Sequence, residues 1–498
     1  MSIKSKAISL YAKRIKSSTN KMASNAISDQ KKVFEKLISK GRRTKFGQDH
    51  HFKSINDYTS FAENVPIRNY ENLRNYIDDI LDGQKSILWP GQPKYFAKTS
   101  GTTSGVKYIP LSQAGIKYQI AAARNTILNY TAQTHTRVFE GKMIFISGSP
   151  ELQIRSNIKT GRLSGIVNHE IPSWVKPYQL PSYKTNCISD WESKLDKIVE
   201  ETIEQDLRLI SGIPPWVQMY FERLLSKSGK KNIKALFPNL ELFIHGGVNY
   251  KPYKKTMNEL IGGKITTLET YPASEGFIAF QNDHQDENLL LNTNTGLYFE
   301  FVPADLIFNE SPPRLSLSEV ELNKDYAVII SSDSGLWAYN IGDTIRFKNL
   351  NPYKIMVSGR INHFISAFGE HVIAKEVEDA IRIISEDFNL KINEFTVAPQ
   401  VNPPEGVLPY HEWFIEFDEI PKNIDIISVR LEDEIVRQNI YYRDLIEGQI
   451  LQGLKITPIV KNGFIQYMKS KGKLGGQNKV PRLTNNRKFA DDLLAYTV

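Results

Sequence analysis

A chain of 498 residues exceeds what one hydrophobic core sustains, and at about 100–200 residues per domain it predicts roughly two to four domains. Its 41% hydrophobic and 24% charged residues are those of a globular protein, and no apolar run nears the roughly 18 residues of a spanning helix, so no membrane insertion is expected. The single cysteine, Cys187, excludes an internal disulfide and a thiolate zinc cluster, and fits a reducing compartment such as the cytoplasm.

The net charge of +8 is concentrated at the start of the chain, where residues 1–46 carry 13 Lys and Arg against 2 Asp and Glu. Ile8, Ala12 and Ile15 recur there at helical spacing, which predicts a basic helix with one face on the core. No aromatic residues interleave the lysines as a stacking platform requires, so no nucleic-acid partner is expected. From residue 95 onward, β-like runs alternate with helical ones. Residues 98–110, KTSGTTSGVKYIP, read as strand, polar loop and strand.

Ser189-Asp190-Trp191-Glu192 has capping-box spacing and predicts a helix to about Gln205. LRLISGI (207–213) reads as a strand, Pro214-Pro215 opens the helix WVQMYFERLLSK, and LELFIHGGV (240–248) reads as a second strand. A helix near YKKTMNELI and a strand KITTLETY (264–271) follow. Such repeats predict an α/β fold with a helix-covered parallel sheet, in which ligands bind beyond the strand ends. After KIMVSGR (354–360) the pattern changes. Val377, Ala380, Ile381 and Ile384 mark a helix face, Trp413, Ile415 and Phe417 alternate as a strand, and ISVRLEDEIVRQN and LKITPIV complete a small α+β unit. The expected domains are 1–358 and 359–498, with NPPEGVLPY (402–410) as an exposed loop.

The 98–110 stretch is not a Walker loop. Gly101 and Gly105 lie too close together, Val106 precedes Lys107, and KYIPLS reads as a strand where that motif needs a helix. What remains is a hairpin with bare backbone N–H groups and the hydroxyls of Ser100, Thr102, Thr103 and Ser104, suited either to a polyanion or to a plain turn. Three other stretches carry chemistry: TLETYPASEGF (267–277), WAYNIGDTIRF (337–347) and VSGRINHFISAFGEHVIAKEVEDAI (357–381). Near the end, GGQNKVPRL (475–483) places Lys479 in a basic tail.

In this order and at these separations, the four motifs resemble the Gretchen Hagen (auxin-responsive promoter) family of acyl acid amido synthetases. These belong to the adenylate-forming superfamily of acyl-CoA synthetases, peptide-synthetase adenylation domains and luciferase. The resemblance spans nearly the whole chain. It implies a large N-terminal domain that binds ATP and a small carboxylic acid, and a small mobile C-terminal domain. It implies an ATP- and Mg²⁺-dependent reaction that forms an acyl-AMP and passes the acyl group to an amine, for which an amino acid is expected.

By the same resemblance Ser100, Gly101, Thr102, Thr103, Ser104, Gly105 and Lys107 hold the β- and γ-phosphates. Tyr271 stacks on adenine, Ser274 meets the α-phosphate, Glu275 holds Mg²⁺, and Asp343 accepts both ribose hydroxyls. Arg360 and Asn362 form the hinge, and Lys479 stabilises the adenylation transition state. Gly246, Gly247 and Trp216 are the acyl-pocket candidates, although Trp216 suits a core residue at a helix start better. Asn340 stands where the family pattern often has arginine. Two alternatives remain: an acyl-CoA synthetase sharing the first step, and a nucleotide-binding protein without catalysis.

Overall fold

The computed structural model describes residues 3–498 except 101–105, 174, 189, 248–249, 362–363, 366–369, 371, 401–402, 405–406, 449–450, 473–478 and 485–486. The chain divides into two compact units, Met1–Ile341 with Ile345–Val357, and Gly342–Thr344 with Ser358–Val498. The short 342–344 stretch groups with the second unit. There Ile361 N–H donates to Gly342 O at 2.7 Å and Thr344 Oγ1 lies 3.1 Å from Ser358 Oγ.

The first unit opens with two helices, Ile3–Ser24 and Ala26–Gly41. Ala12, Met22, Ala26, Val33, Leu37 and Ile38 are buried along one side, and the basic residues Lys13, Arg14, Lys21, Lys31 and Lys32 are exposed. That is the amphipathic packing predicted from the helical spacing. Two buried polar contacts lock the pair down. Asn129 Nδ2 donates to Thr19 Oγ1 at 3.0 Å, and Gln30 spends its whole amide on the chain at 293–299, donating to Thr293 O and Leu297 O and accepting from Phe299 N–H, each at 2.8 Å.

Fifteen strands follow before Arg360 among the described residues: β1 Tyr95–Ser100, β2 Val106–Leu111, β3 Lys142–Ile146, β4 Gln153–Arg155, β5 Ile158–Gly161, β6 Gln179–Leu180, β7 Leu207–Gly212, β8 Leu242–Gly246, β9 Thr266–Pro272, β10 Phe277–Phe280, β11 Leu289–Leu291, β12 Leu297–Pro303, β13 Asp325–Ser332, β14 Tyr339–Leu350 and β15 Tyr353–Arg360. They form a four-stranded sheet ordered β2-β1-β5-β4 and an eleven-stranded sheet ordered β12-β13-β14-β15-β11-β10-β9-β8-β7-β3-β6. In the larger sheet β6, β3, β7, β8 and β9 run parallel, and β9 turns back on β10 antiparallel. The central parallel strands β7 and β8 are buried on both faces along their first four residues, which is why LRLISGI and LELFIHGGV read as near-continuous apolar runs. Leu209, Leu242, Ile244 and Leu268 fill one side together with Tyr130, Val138 and Met143.

The helix expected from 189 runs Trp191–Thr202, and its cap is Asp190, whose carboxylate accepts from Ser193 N–H at 2.8 Å. Ser189, the expected cap, lies outside the described residues. Two cap-competent residues stood side by side, and the capping hydrogen bond singles out Asp190.

The second unit adds β16 Phe364–Ile365 paired with β17 Val372–Ile373, then a three-stranded sheet of β18 Ile392–Gln400, β19 Tyr410–Phe417 and β20 Lys455–Ile459. Helices Ala374–Asp387 and Ile424–Gln438 cover it, burying Val377, Ala380, Ile381 and Ile384 against Trp413 and Ile415. The expected 402–410 loop loses its last residue to β19, where Tyr410 is buried, and residues 402, 405 and 406 lie outside the described residues.

Candidate functional site

The 98–110 stretch has strands on both sides, as expected. β1 and β2 pair antiparallel with Thr99 opposite Lys107 and Ser100 opposite Val106. Gly101, Thr102, Thr103, Ser104 and Gly105, and the side chain of Ser100, lie outside the described residues. Lys107 is half-buried on the returning strand, its ammonium 5.8 Å from the centroid of the Tyr70 ring. That ring is fixed in turn, because the Tyr70 hydroxyl accepts the Tyr108 N–H at 2.9 Å. An ammonium within about 6 Å of an aromatic face is attracted by the ring quadrupole, which helps to hold it in place.

The 267–277 stretch forms a tight hairpin. Ala273 N–H donates to Gly276 O at 2.9 Å and Gly276 N–H to Ala273 O at 3.2 Å, so Ser274 and Glu275 occupy the two tip positions, both half-buried. Tyr271 is buried just before the turn, opposite Ala279, where an irregularity between Phe277 and Ala279 shifts the register. Gln119 Nε2 donates to Ala273 O at 2.9 Å and ties the turn to the Gln113–Gln133 helix.

Alongside, β8 ends with Gly246 opposite Thr270. A Cβ on Gly246 would meet Thr270 O at 2.3 Å, so close backbone approach requires glycine there, and Gly247 takes a φ of 79°. His245 is buried, stacked on Tyr250 at 4.5 Å, and burial pushes its pKa down to about 3, which keeps the ring neutral. Tyr271, Ser274, Glu275 and Gly246 therefore meet at neighbouring strand ends, where an open α/β sheet binds ligands. Trp216 is buried at the start of the Pro214–Ser228 helix with its ring 5.1 Å from that of Trp191, the packing of a core residue.

Sequence reasoning passed over Glu269, although it sits inside the quoted motif. It lies opposite His245 on β9, and burial, opposed by Lys251 and reinforced by Glu287, raises its pKa to about 7. A carboxyl with that value exchanges a proton near neutrality. Its signal was invisible because the burial is made by residues distant in the chain.

The remaining expected residues fall in the second unit. Asp343 is buried on β14 directly after Gly342, whose φ is 84°. Arg360 ends β15 with its side chain outside the described residues, as is the whole of Asn362. Lys479 is exposed and follows residues 473–478, which are not described. Asn340 is half-buried and its N–H donates to Arg68 O at 2.8 Å. No group of three or more His, Cys, Asp or Glu arranged to hold a metal occurs among the described residues.

A helix-covered sheet with a glycine-lined strand end beside an aromatic-hydroxyl-carboxylate turn, followed by a separate α+β unit, defines the fold. Two solved structures share it across nearly their whole length. An acyl acid amido synthetase of the GH3 group superposes with a TM-score of 0.82 at 16% identity, covering 98% of this chain and 96% of its own. A 2-hydroxyisobutyryl-CoA ligase in its postadenylation state superposes with a TM-score of 0.58 at 10% identity, covering 97% and 91%.

The sequence narrows the class. The GH3 family N-terminal domain matches residues 15–176 and 152–266, the central domain 290–360, and the C-terminal domain 375–488. The chain belongs to the GH3 family. A jasmonoyl–L-amino acid synthetase of Nicotiana attenuata is 22% identical to it over 76% of this chain and 77% of its own length.

Proposed function

We propose that the protein is an ATP-dependent ligase that adenylates a small carboxylic acid and transfers the acyl group to an amine, an amino acid by preference, to form an amide. The turn that sets Tyr271, Ser274 and Glu275 beside Gly246 in a GH3-family chain carries this reading. In the first step a carboxylate oxygen attacks the α-phosphorus of ATP and pyrophosphate leaves. Two anions meet, so positioned cations and N–H donors supply most of the catalysis.

In this reading Tyr271 stacks on adenine, Asp343 accepts from the two ribose hydroxyls and Ser274 donates to the α-phosphate. Lys107 and the 100–105 segment hold the outer phosphates. Mg²⁺, a hard cation that keeps part of its water shell, shields the phosphate charge. Glu275 suits it as an oxygen donor because a half-buried turn tip leaves room for water and phosphate ligands. Lys479 neutralises charge gathering on the bridging oxygen. The second unit, turning about Arg360 and Asn362, then withdraws Lys479 so that the amine can attack the acyl carbon and release AMP. Gly246 and Gly247 border the acid, and Trp216 stays in the core beside Trp191. The reducing cytoplasm is the compartment we assign, in keeping with the single free Cys187.

The test is acid-dependent ATP–pyrophosphate exchange over aryl, indolyl and aliphatic acids with Mg²⁺. Exchange with at least one acid is the expected result. Amides on addition of amino acids would complete the assignment, and thioesters on addition of CoA would replace it with a CoA ligase. Folded, ATP-binding protein silent across the panel would overturn the enzymatic reading.

A further inference from the structure

Two cations in the first unit have no carboxylate to answer them. Arg162 stands between β5 and the Leu163–Glu170 helix, half-buried, with its guanidinium against the chain at 148: a Cβ on Gly148 would meet Arg162 Nη1 at 2.8 Å and Cδ at 2.9 Å. Lys194 is only 3% exposed, and its ammonium donates to Ser147 O at 2.8 Å and Asn186 O at 2.9 Å. Both charges thus converge on consecutive residues just past the carboxyl end of β3. No ion pair or hydrogen bond to either from a carboxylate occurs among the described residues. The nearby Glu151 accepts from Ser149 Oγ at 3.2 Å instead.

A buried charge is normally paired, because the desolvation it suffers must be offset. Here burial lowers the pKa of Arg162, and burial together with the Arg162 charge, opposed by Cys187, takes Lys194 down to about 8. Each cation is therefore held at a cost that no carboxylate among the described residues offsets, the Cys187 thiol being the one ionisable group that favours the Lys194 charge. Asn186, 1% exposed, also leaves its amide oxygen without a hydrogen-bond partner, and the two ends of an amide exchange by a simple flip. Lys194, with two of its three donors on carbonyls, keeps one to give.

We propose that Arg162 and Lys194 form a carboxylate-binding subsite that takes a non-reacting carboxylate of a ligase substrate. The planar guanidinium fork presents two parallel N–H groups, which match a carboxylate, while Lys194 adds charge from a fixed position. A triphosphate fits less well, since its several charges call for a metal ion and water, and Lys194 and Asn186 are nearly sealed from water. β3 ends level with β7, Ile146 opposite Gly212, on the side of the sheet's strand ends where ligands bind. The inference rests on the proposed ligase reading. The carboxylate comes from an amino acid acceptor or from the far end of a dicarboxylic acid donor, and the two sources are separable.

The experiment compares the full chain with Arg162→Gln and Arg162→Lys. Calorimetric titration uses L-glutamate, L-aspartate and succinate as probes, with ATP as control. Loss of a charge-assisted bidentate pair predicts binding weaker by about 10- to 100-fold for at least one probe in Arg162→Gln, with partial recovery in Arg162→Lys. In the complete assay, Arg162→Gln should lose more with amino acids than with their carboxamides if the acceptor is the source. If the donor is the source, it should lose more in pyrophosphate exchange with dicarboxylic than with monocarboxylic acids. Equal losses with and without the second carboxylate, a loss confined to ATP, or no change in any titration would overturn the subsite. Wild-type protein lacking exchange with every acid would instead defeat the ligase reading, and the titrations would still decide the subsite.

Discussion

Arg487 in the second unit and Arg162 in the first are both substantially buried arginines, and their surroundings differ in one respect. Arg487 donates to the buried Glu412 at 2.7 Å and to Asp491 at 3.0 Å, and although burial works against its charge, these carboxylates raise its pKa. Glu412 also accepts from Thr457 Oγ1 at 2.6 Å, so both of its oxygens are engaged, although Arg487 Nη1 has no hydrogen-bond partner among the described residues. Neighbouring carboxylates on the same strand are engaged too: Glu416 accepts from Asn462 and Phe464 N–H. Around Arg162 there is no such partner among the described residues. A paired buried charge belongs to the fold, whereas an unpaired one at a strand end holds a place for a ligand.

Lys479→Ala tests the exposed cation that fits neither case. It should cut pyrophosphate exchange by roughly 10²–10³-fold, the cost of one charge-stabilising donor, while leaving ATP affinity and the melting temperature near wild type. Unchanged exchange would remove Lys479 from the mechanism. Next in size, Arg487→Met strands Glu412 in the core and should cost about 3 kcal/mol in urea denaturation. A loss below about 1 kcal/mol would mean that the pair is structurally idle and that the comparison fails.

Asp333 sharpens the contrast through pH. It is 3% exposed, its Oδ2 has no hydrogen-bond partner, and burial raises its pKa from 3.8 to about 7 against the opposing effects of Lys36 and Ser334. The folded chain then holds a proton that the unfolded chain has released between these values. The contribution to stability is complete below about pH 4 and is lost as pH rises through about 7. Asp333→Asn should flatten that fall by at least about 2 kcal/mol, read from denaturation midpoints across the window. An unaltered slope would assign the titration elsewhere. The smallest effect is expected of Arg162→Gln on stability: a loss no greater than about 0.5 kcal/mol, since no carboxylate partner among the described residues is lost and a desolvated charge is removed. A cost like that of Arg487→Met would reveal a structural role.

Much of the first unit was legible because periodicity is local. β7, β8, β9 and the helices between them lie within a few residues of their expected bounds. The capping residue was misplaced by one, because Ser189 and Asp190 are chemically equivalent candidates. Tyr271, Ser274 and Glu275 were grouped at the end of a strand by their resemblance to a family motif, and the turn that carries Ser274 and Glu275 emerged with the Ala273–Gly276 hydrogen bonds. Glu269, two residues away, was not legible, because its raised pKa is produced by burial against elements from other parts of the chain. Arg162 and Lys194 were missed for the same reason: they are 32 positions apart, and neither stands in a recognisable spacing.

By itself, then, the sequence determined the order of strands and helices and the chemistry of its motifs. Those depend on neighbours two to four residues away and on side-chain type alone. Only the tertiary structure decided which charges are answered. Arg487 finds Glu412 across 75 residues, and Arg162 finds no carboxylate among the described residues. Burial and pairing are properties of residues brought together from distant parts of the chain, so no local pattern encodes them.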